Sequence, residues 1–152
     1  MNKPIKRAVS IQAFSRDHHQ GLLLCWKIRK GINAGIDGQR IKEYVSWFFS
    51  THLEPHFVSE ENHLFPVLGN SHEMILRALK EHELLRKLNK NVDSSYKILD
   101  EFADLLESHI RFEERELFNA IQDVSTPDQL NRIAELHYEE PFCDNEMDAF
   151  WL

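Results

Sequence analysis

The sequence predicts an all-α protein: an antiparallel up-down four-helix bundle with a short fifth helix and a tail packed on it. Four stretches place apolar residues every three or four positions, which is the period of a helix that buries one face. Short segments containing glycine, proline or asparagine separate these stretches, and helices joined by short loops pack antiparallel. No stretch sustains the alternation of apolar and polar residues that a half-buried strand requires.

The first predicted helix begins near Ser15, which can cap a helix N-terminus, and runs to about Ile32. Residues 1–13 are expected to form a short irregular arm, although Ile11 is already in phase with the apolar stripe of the helix. Glycines then break the helical pattern, because glycine loses the most conformational freedom on folding. These glycines are Gly31, Gly35 and Gly38.

The second predicted helix runs from about Gln39 to Leu64 and contains Pro55. A proline inside a helix lacks the backbone N–H that would bond four residues back, so the helix should kink or restart there. The third helix is predicted to begin after Asn70, because Glu73 three residues later completes the pattern of a capping box.

The fourth predicted helix spans about 96–122, and a short fifth helix follows it. Thr126 is expected to be the N-cap of the fifth helix, with Pro127 in its first turn and Gln129 closing a capping box. The tail 141–152 is too apolar for a disordered segment, so we expect it to pack across the bundle.

Length and composition are those of one globular domain. The 152 residues carry 18 Lys and Arg against 25 Asp and Glu, a net charge of −7 with no basic stripe, which argues against a nucleic-acid partner. Two distant cysteines suit a reducing compartment, and neither a secretory signal nor a membrane-spanning run is visible, so a cytoplasmic location is expected. We predict one domain over 1–152, with the bundle at about 11–122 and the short helix and tail at about 126–152.

One phrase occurs twice in the chain, as HFVSEENHLF at 56–65 and as HIRFEERELF at 109–118. Each copy has a His followed four residues later by a Glu, so the imidazole and the carboxylate share one helix face beside Leu and Phe. Burying such a polar group without a partner costs roughly 2–7 kcal/mol. Two matched pairs on apolar faces therefore predict that something, most simply a metal pair, is bound between them.

Each of the four long helices carries polar residues on its apolar stripe. In chain order these are His18 or His19, the pair His56 and Glu60, then His82, and the pair His109 and Glu113. Facing one another in a bundle, four imidazoles and two carboxylates suit two metal ions bridged by the carboxylates. Mixed nitrogen and oxygen ligands favour iron first, then manganese or zinc. Open coordination positions would admit a small molecule such as dioxygen, peroxide or nitric oxide.

Each motif alone has a simpler interpretation. A single buried His is most often a hydrogen-bonded structural residue, and a single His–Glu pair at i, i+4 is most often a solvated ion pair. The repeat, together with a stripe His on both other helices, favours the metal site. The choice between His18 and His19 stays open with a slight preference for His18, because neighbouring alignment offsets match one or the other to His82.

The other histidines and repeated acids receive more ordinary predictions. His52, one turn before His56, is expected to have a structural role or to support a ligand. Glu61 and Glu114 repeat but lie off the stripe, so solvated charge is the first expectation and support of a ligand the alternative. Surface or capping positions are expected for His63, His72 and His137.

Taken together, four segments resemble the hemerythrin family in the form of the bacterial HHE cation-binding domains. The segments, which lie within about 15–122, are SRDHHQGL, PHFVSEENHLFP, EHELLRKL and HIRFEERELF. The resemblance implies a four-helix bundle that holds a non-haem di-iron centre with carboxylate bridges. The ligands it implies are His18 or His19, His56, Glu60, His82, His109 and Glu113.

The third helix departs from the oxygen-carrying members of that family. Those proteins take two His four residues apart from this helix, whereas here His82 is followed by Arg86. One imidazole is therefore missing, and a guanidinium cannot replace it because it has no lone pair to offer. A more open and less symmetrical site is expected to favour oxidation or sensing over reversible oxygen storage.

Two classes of function follow. The first is a di-iron protein that binds or senses dioxygen, nitric oxide or iron; it is preferred because the sequence shows no catalytic base, nucleophile or cofactor cleft. The alternative is a di-iron enzyme for peroxide or oxygen reduction, ferroxidase activity or repair of iron centres. The expected small partner is a diatomic ligand or peroxide, with no nucleic acid and no membrane. A protein partner or a second copy of the chain would contact the acidic, aromatic tail.

Overall fold

The computed structural model describes residues 7–137 and 141–152, and these residues form helices and connecting loops without any strand. None of the described helices has the length and apolar character that a membrane crossing requires. In chain order the described helices are α1 at Val9–Asn33, α2 at 38–64, α3 at Glu73–Lys90, α4 at 96–124 and α5 at Pro127–Leu136.

Both α2 and α4 contain π turns, in which a backbone N–H bonds five residues back instead of four. The segments of α2 are Gly38–Phe48, a π turn at Phe49–Leu53, Glu54–Ser59 and a π turn at Glu60–Leu64, followed by a 3-10 turn at Phe65–Val67. The segments of α4 are Tyr96–Phe112, a π turn at Glu113–Leu117 and Phe118–Val124. One π turn thus begins at Glu60 and another at Glu113, the glutamates four residues after the His of each repeated phrase. Such turns are common at functional sites.

The expected irregularity at Pro55 takes the form of the first π turn. This turn ends at Leu53, and Pro55 then lies in the first turn of the next α-helical segment. The backbone N–H of Glu54 still bonds Phe49 five residues back, so the change of hydrogen-bond register falls directly before the proline, which has no N–H to donate. The α-helical segment therefore restarts at Glu54, two residues before His56, and the residues at the junction keep right-handed helical dihedrals.

Two helix starts differ from the predictions. α1 begins at Val9 and not at Ser15, because Ile11 is fully buried and extends the apolar face by more than a turn. The Ser15 hydroxyl bonds Glu114 and does not cap a helix. The predicted arm is therefore wrong from Val9 onward, and residues 1–6 lie outside the described part of the chain.

The predicted capping box of α3 is also wrong, whereas that of α5 is confirmed. The N-cap of α3 is His72, whose Nδ1 accepts a hydrogen bond from the backbone N–H of Met74 at 3.1 Å. In α5 the Thr126 hydroxyl accepts from the Gln129 backbone, and the Gln129 side chain accepts from the Thr126 backbone. The tail packs on the bundle as expected, with Trp151 buried.

Two apolar clusters fill the interior, and a layer of polar side chains lies between them. The tail cluster includes Leu24, Leu106 and Phe150. The α5 cluster includes Phe14, Phe65 and Ile133. The polar layer consists of His18, His56, Glu60, His82, His109 and Glu113. Along α1, for example, His18 lies between Phe14 of one cluster and Leu24 of the other.

Contacts between neighbouring helices join early residues of one to late residues of the other. Ser15 Oγ in α1 bonds Glu114 in α4 at 3.1 Å. Arg29, later in α1, bonds Asp104, earlier in α4, at 2.8 Å. The corresponding pairs between α2 and α3 are Glu54 with Arg86 and Glu61 with His82. These contacts bring residues that are far apart in the sequence next to one another on neighbouring helices.

Candidate metal centre

The polar layer is almost completely shielded from solvent. Its two glutamates and the two histidines of α3 and α4 have no exposed surface, while His18 is 4% and His56 is 5% exposed. Charged and polar side chains are rarely buried to this degree unless they are paired or bind a metal.

Glu113 lies between two imidazoles that come from different helices. Its Oε1 is 2.9 Å from Nε2 of His18 and 3.2 Å from Nε2 of His109. His109 stands one turn before Glu113 in α4, so the i, i+4 spacing places both side chains on the same inward face. One carboxylate oxygen thus faces the two nitrogens.

Glu60 occupies the equivalent place in α2. Its Oε2 is 3.3 Å from Nε2 of His56, and its Oε1 is 3.2 Å from Nε2 of His82. The Nε2 atoms of His82 and His109 are themselves 3.1 Å apart. All four imidazoles therefore direct Nε2 into the space between the two carboxylates.

Within the described residues, these side chains form two groups that are able to hold a metal ion. In each group every residue offers one nitrogen or oxygen atom, and these atoms lie within 4.8 Å of one another. The first group is His18, His56, Glu60 and Glu113. The second group is His82, His109, Glu60 and Glu113. The two carboxylates belong to both groups, so they are the residues placed to bridge.

On its outer side, each imidazole meets a carboxylate from a neighbouring helix through Nδ1. The pairs are Asp17 with His56 at 2.9 Å, Glu61 with His82 at 2.7 Å, Glu81 with His109 at 2.8 Å and Glu114 with His18 at 2.8 Å. Together they close a ring that leads from α1 to α2, α3, α4 and back to α1. A carboxylate acceptor assigns one ring proton to Nδ1, so Nε2 is the inward nitrogen that offers a lone pair to a metal once any second ring proton has left, as in histidines that bind metals.

Four buried atoms on the inner surface of the polar layer have no hydrogen-bond partner. Both carboxylate oxygens of Glu60, Oε2 of Glu113 and Nε2 of His56 are buried and make no hydrogen bond. A buried acceptor without a partner costs about 1–3 kcal/mol. A cation that binds nitrogen and carboxylate oxygen would satisfy all of them, so the donor set fits a metal ion.

Opposite charges inside the layer shift the pKa values of its members. Burial disfavours the charged form of His109, but the carboxylates of Glu113 and Glu81 outweigh it and raise the pKa of His109 to about 10. Burial likewise opposes the charged carboxylate of Glu113, yet His109 and His18 hold its pKa well below the usual value. The pKa of His56 is raised well above normal, against burial, by Glu60 and Asp17. Protons therefore compensate the carboxylates when no cation does.

Comparison with known families identifies this arrangement. The family model for the hemerythrin HHE cation-binding domain matches residues 9–121, which include all six residues of the polar layer. The chain belongs to the hemerythrin HHE cation-binding family. Searches of curated proteins and of solved structures found no match. Membership implies that this HHE domain binds a cation, typically iron, and confirms the resemblance predicted from the four sequence segments.

The HHE domain distinguishes the two candidate histidines of α1. His18 lies in the polar layer, whereas His19 is exposed and outside both groups. Consecutive residues of an α-helix point about 100° apart, so only one of the two can face the interior. The structure therefore brings together the other six predicted residues and places His19 outside them.

The outer carboxylates were only partly foreseen by the sequence. Glu61 and Glu114 are not solvated charges but partners of His82 and His18, which is the alternative interpretation of their repeat. Asp17 and Glu81 were not predicted as site residues. The signal that could have found them is positional, because Asp17 directly precedes His18 and Glu81 directly precedes His82.

Arg86, which stands where oxygen-carrying relatives have a second His, does not enter the polar layer. Its guanidinium bonds Glu54 through Nε at 2.8 Å and Glu61 through Nη1 at 3.0 Å. Since Glu61 in turn holds His82, Arg86 supports a candidate ligand from outside. Arg86 therefore displaces no ligand, and each of the two groups has two imidazoles.

A cleft of about 590 Å³ opens beside one of the two groups. The residues that line it include His18, His56, His52, His137 and Phe142. His52 packs between aromatic rings, as a structural role predicts. The cleft makes the His18–His56 side of the layer the side that a small molecule can approach.

Two of the remaining histidine predictions can be compared directly with the structure. His72 is a capping residue, as predicted. His137 is the C-cap residue of α5, which agrees with the capping half of its prediction, but its side chain is only 6% exposed and stacks on Phe14 with ring centroids 4.0 Å apart.

Proposed function

We propose that this HHE domain holds two iron ions in the polar layer, one in each group, with Glu60 and Glu113 shared between them. The observation that carries the proposal is the pair of buried Glu60 oxygens that no hydrogen bond satisfies. Manganese or zinc would meet the same ligands, but mixed imidazole and carboxylate ligation with open positions favours iron. An antiparallel up-down order of the four long helices, supported by the reversed contacts between neighbours, would place each group between facing helices.

The role that fits this centre best is binding or sensing of dioxygen, nitric oxide or iron itself. Iron with open positions supplies the affinity for a diatomic ligand. The chain's own residues supply orientation, because each outer carboxylate fixes an imidazole ring, and they exclude bulk water, because the layer is buried. The cleft beside His18 and His56 gives a small ligand its route. Two free cysteines agree with a reducing, cytoplasmic setting for such a protein.

A second candidate, a di-iron enzyme for peroxide or oxygen reduction, ferroxidase activity or repair of iron centres, is favoured by the size of the cleft. A volume of about 590 Å³ exceeds what a diatomic ligand needs and falls in the range of small-molecule sites. The two candidates differ in turnover. Catalytic consumption of hydrogen peroxide by the iron-loaded protein would support the enzyme, and stoichiometric binding of nitric oxide without turnover would support the sensor.

The test of metal binding is reconstitution of the full chain with ferrous iron without oxygen, followed by elemental analysis and by a visible spectrum recorded after air has oxidised the iron. We expect about two irons per chain, one for each group of ligands. The double variant His56→Ala/His109→Ala removes one imidazole from each group and should lose both the iron and its spectrum. His19→Ala is the matched control and should retain both. Full iron content in the double variant would contradict the proposal.

A further inference from the structure

The four outer carboxylates are themselves held from outside, and three of them are held in the same way. Each of the three contacts the guanidinium of an arginine. The pairs are Glu114 with Arg7 at 3.3 Å, Glu61 with Arg86 at 3.0 Å and Glu81 with Arg77 at 3.3 Å. A permanently charged guanidinium fixes the carboxylate, which in turn fixes the imidazole.

The fourth carboxylate, Asp17, faces an imidazole instead. Its Oδ2, which bonds Nδ1 of His56 at 2.9 Å, lies 3.6 Å from Nε2 of His137. That distance is longer than a hydrogen bond, so the contact is electrostatic. Among the described pairs, Asp17 is therefore the one outer carboxylate whose outside partner is an imidazole ring and not an arginine.

Packing on two sides fixes the ring of His137. One face stacks on Phe14 with an interplanar angle of 23°. Its Nδ1 is 2.7 Å from the hydroxyl of Ser59, which stands in α2 between His56 and Glu60. A hydroxyl that donates to Nδ1 leaves the ring proton on Nε2, the atom directed at Asp17.

His137 comes from a part of the chain that the family model does not match. The match ends at residue 121, whereas His137 follows the last residue of α5. The same residue lines the cleft that reaches His18 and His56. The C-terminal segment thus lies beside the His18–His56 group. In the described pairs it contacts neither His82 nor His109.

We propose that His137 is a positioning residue that acts through Asp17 to fix the ring of His56, and that it makes the His18–His56 group different in metal affinity from the His82–His109 group. The inference rests on the proposed metal site. It adds that the C-terminal segment tunes the half of the centre next to the cleft, which is the half a small ligand reaches first.

The test compares three variants of the full chain. His137→Phe keeps the ring stacked on Phe14 but removes both nitrogens, His137→Gln restores a donor toward Asp17, and Arg86→Met removes the corresponding support from Glu61. Each metal-free protein is titrated with Zn²⁺ while nitrogen-15 NMR signals of the imidazole rings are recorded. These signals report separately on His56 and His82.

Outer partners of metal ligands commonly change affinity by about 10–100-fold, and a residue one contact further out is expected near the lower end. His137→Phe should therefore raise the Zn²⁺ concentration for half-saturation at His56 about tenfold and leave His82 within about twofold of the wild type. Arg86→Met should show the reverse pattern. His137→Gln should recover at least half of the lost affinity on a logarithmic scale. An unchanged His56, equal losses at both rings, or no recovery with Gln would overturn the proposal.

The metal-free spectra separate this inference from the proposed function. In His137→Phe the Nδ1–H signal that His56 gives through its bond to Asp17 should shift or broaden, while that of His82 stays unchanged. If the wild type binds no metal, the proposed function fails, and these signals alone still decide whether His137 positions His56. Unchanged His56 signals would overturn the positioning role even if both ions bind.

Discussion

Two regions of this protein bury ionisable side chains, and they satisfy them differently. In the tail cluster, Lys27 is 8% exposed, and its Nζ lies 2.9 Å from the Tyr44 hydroxyl and 2.6 Å from Asp144 Oδ2. The ring of Trp151 covers the ammonium at 4.0 Å. In the polar layer, both buried oxygens of Glu60 lack a hydrogen bond.

The difference separates a structural group from a functional one. The Lys27 ammonium has charge, donors and an aromatic face matched by its neighbours, so it needs nothing from outside the chain. The Glu60 carboxylate faces other acceptors, so it is satisfied only by protons or a cation. A buried charge alone therefore does not indicate a binding site; a buried charge surrounded by groups of the same hydrogen-bonding type does.

The largest expected effect comes from exchanging the charged residue of each region. Glu60→Gln keeps the shape of the side chain but removes the charge that both groups share. Because partners outside the ligand set already change metal affinity by about 10–100-fold, loss of a shared ligand should lower iron affinity by more than about 100-fold. Lys27→Met should leave the iron content unchanged. Retained affinity in Glu60→Gln, measured by competition with a chelator, would remove Glu60 from the ligands.

The metal affinity of the polar layer should depend on pH. The carboxylates around it raise the pKa of His109 to about 10 despite its burial, so at neutral pH a metal must displace a proton from this ring. Apparent affinity should rise by about tenfold per pH unit below pH 10 for each proton displaced. The pKa values of His18 and His56 are also raised, so the slope should exceed that of one proton. Chelator competition across the pH range measures it, and a flat profile would contradict the assignment.

The sequence predicted the six residues of the polar layer better than the outer carboxylates that hold its imidazoles. His56 and Glu60 could be placed because their spacing matches the helical period and because the phrase repeats. The choice between His18 and His19 depends on how α1 is rotated against its neighbours, which neighbouring sequence alignments leave ambiguous. Asp17 and Glu81 act across a helix interface, so their position directly before a candidate ligand His indicates their role only when the neighbouring helix is known.

Errors at the ends of helices have a related physical cause. Local capping rules favoured Ser15 and Asn70, but tertiary packing moved both helix starts to where an apolar face could be buried or a nearby side chain could cap. His137 was expected at the surface or at a helix cap; it is a C-cap, but nothing in its local sequence indicates that its ring stacks on Phe14. Local patterns therefore located the ligand-bearing faces, and long-range contacts determined what supports them.

Lys27→Met should destabilise the fold without touching the metal site. Removing one member of a buried ion pair costs about 3–5 kcal/mol, but Asp144 keeps some access to water, so a loss of about 1–3 kcal/mol in the free energy of unfolding is expected. Urea unfolding of the metal-free protein measures this loss. A variant as stable as the wild type would show that the Lys27 group does not stabilise the tail against the bundle.

Asp144→Asn should have the smallest effect, and that effect should depend on pH. Burial alone would raise the pKa of Asp144, but Lys27 and Tyr44 outweigh it and hold the pKa below the usual 3.8. The stabilisation is therefore present above the pKa of the unfolded chain and is lost as the pH falls through the folded value.

At neutral pH, Asp144→Asn should lower the free energy of unfolding by about 1 kcal/mol, since the hydrogen bonds from Lys27 and Tyr44 lose the charge of their acceptor. The gap to the wild type should shrink as the pH falls below the usual pKa of 3.8 and Asp144 takes up its proton. Asp148→Asn is the matched control, because Asp148 pairs with Arg40 at the exposed surface and its removal should not measurably change stability. A difference that stays constant as the pH falls would mean that Asp144 stabilises the fold through packing and not through its charge. The tail would then be held to the bundle by apolar contacts alone.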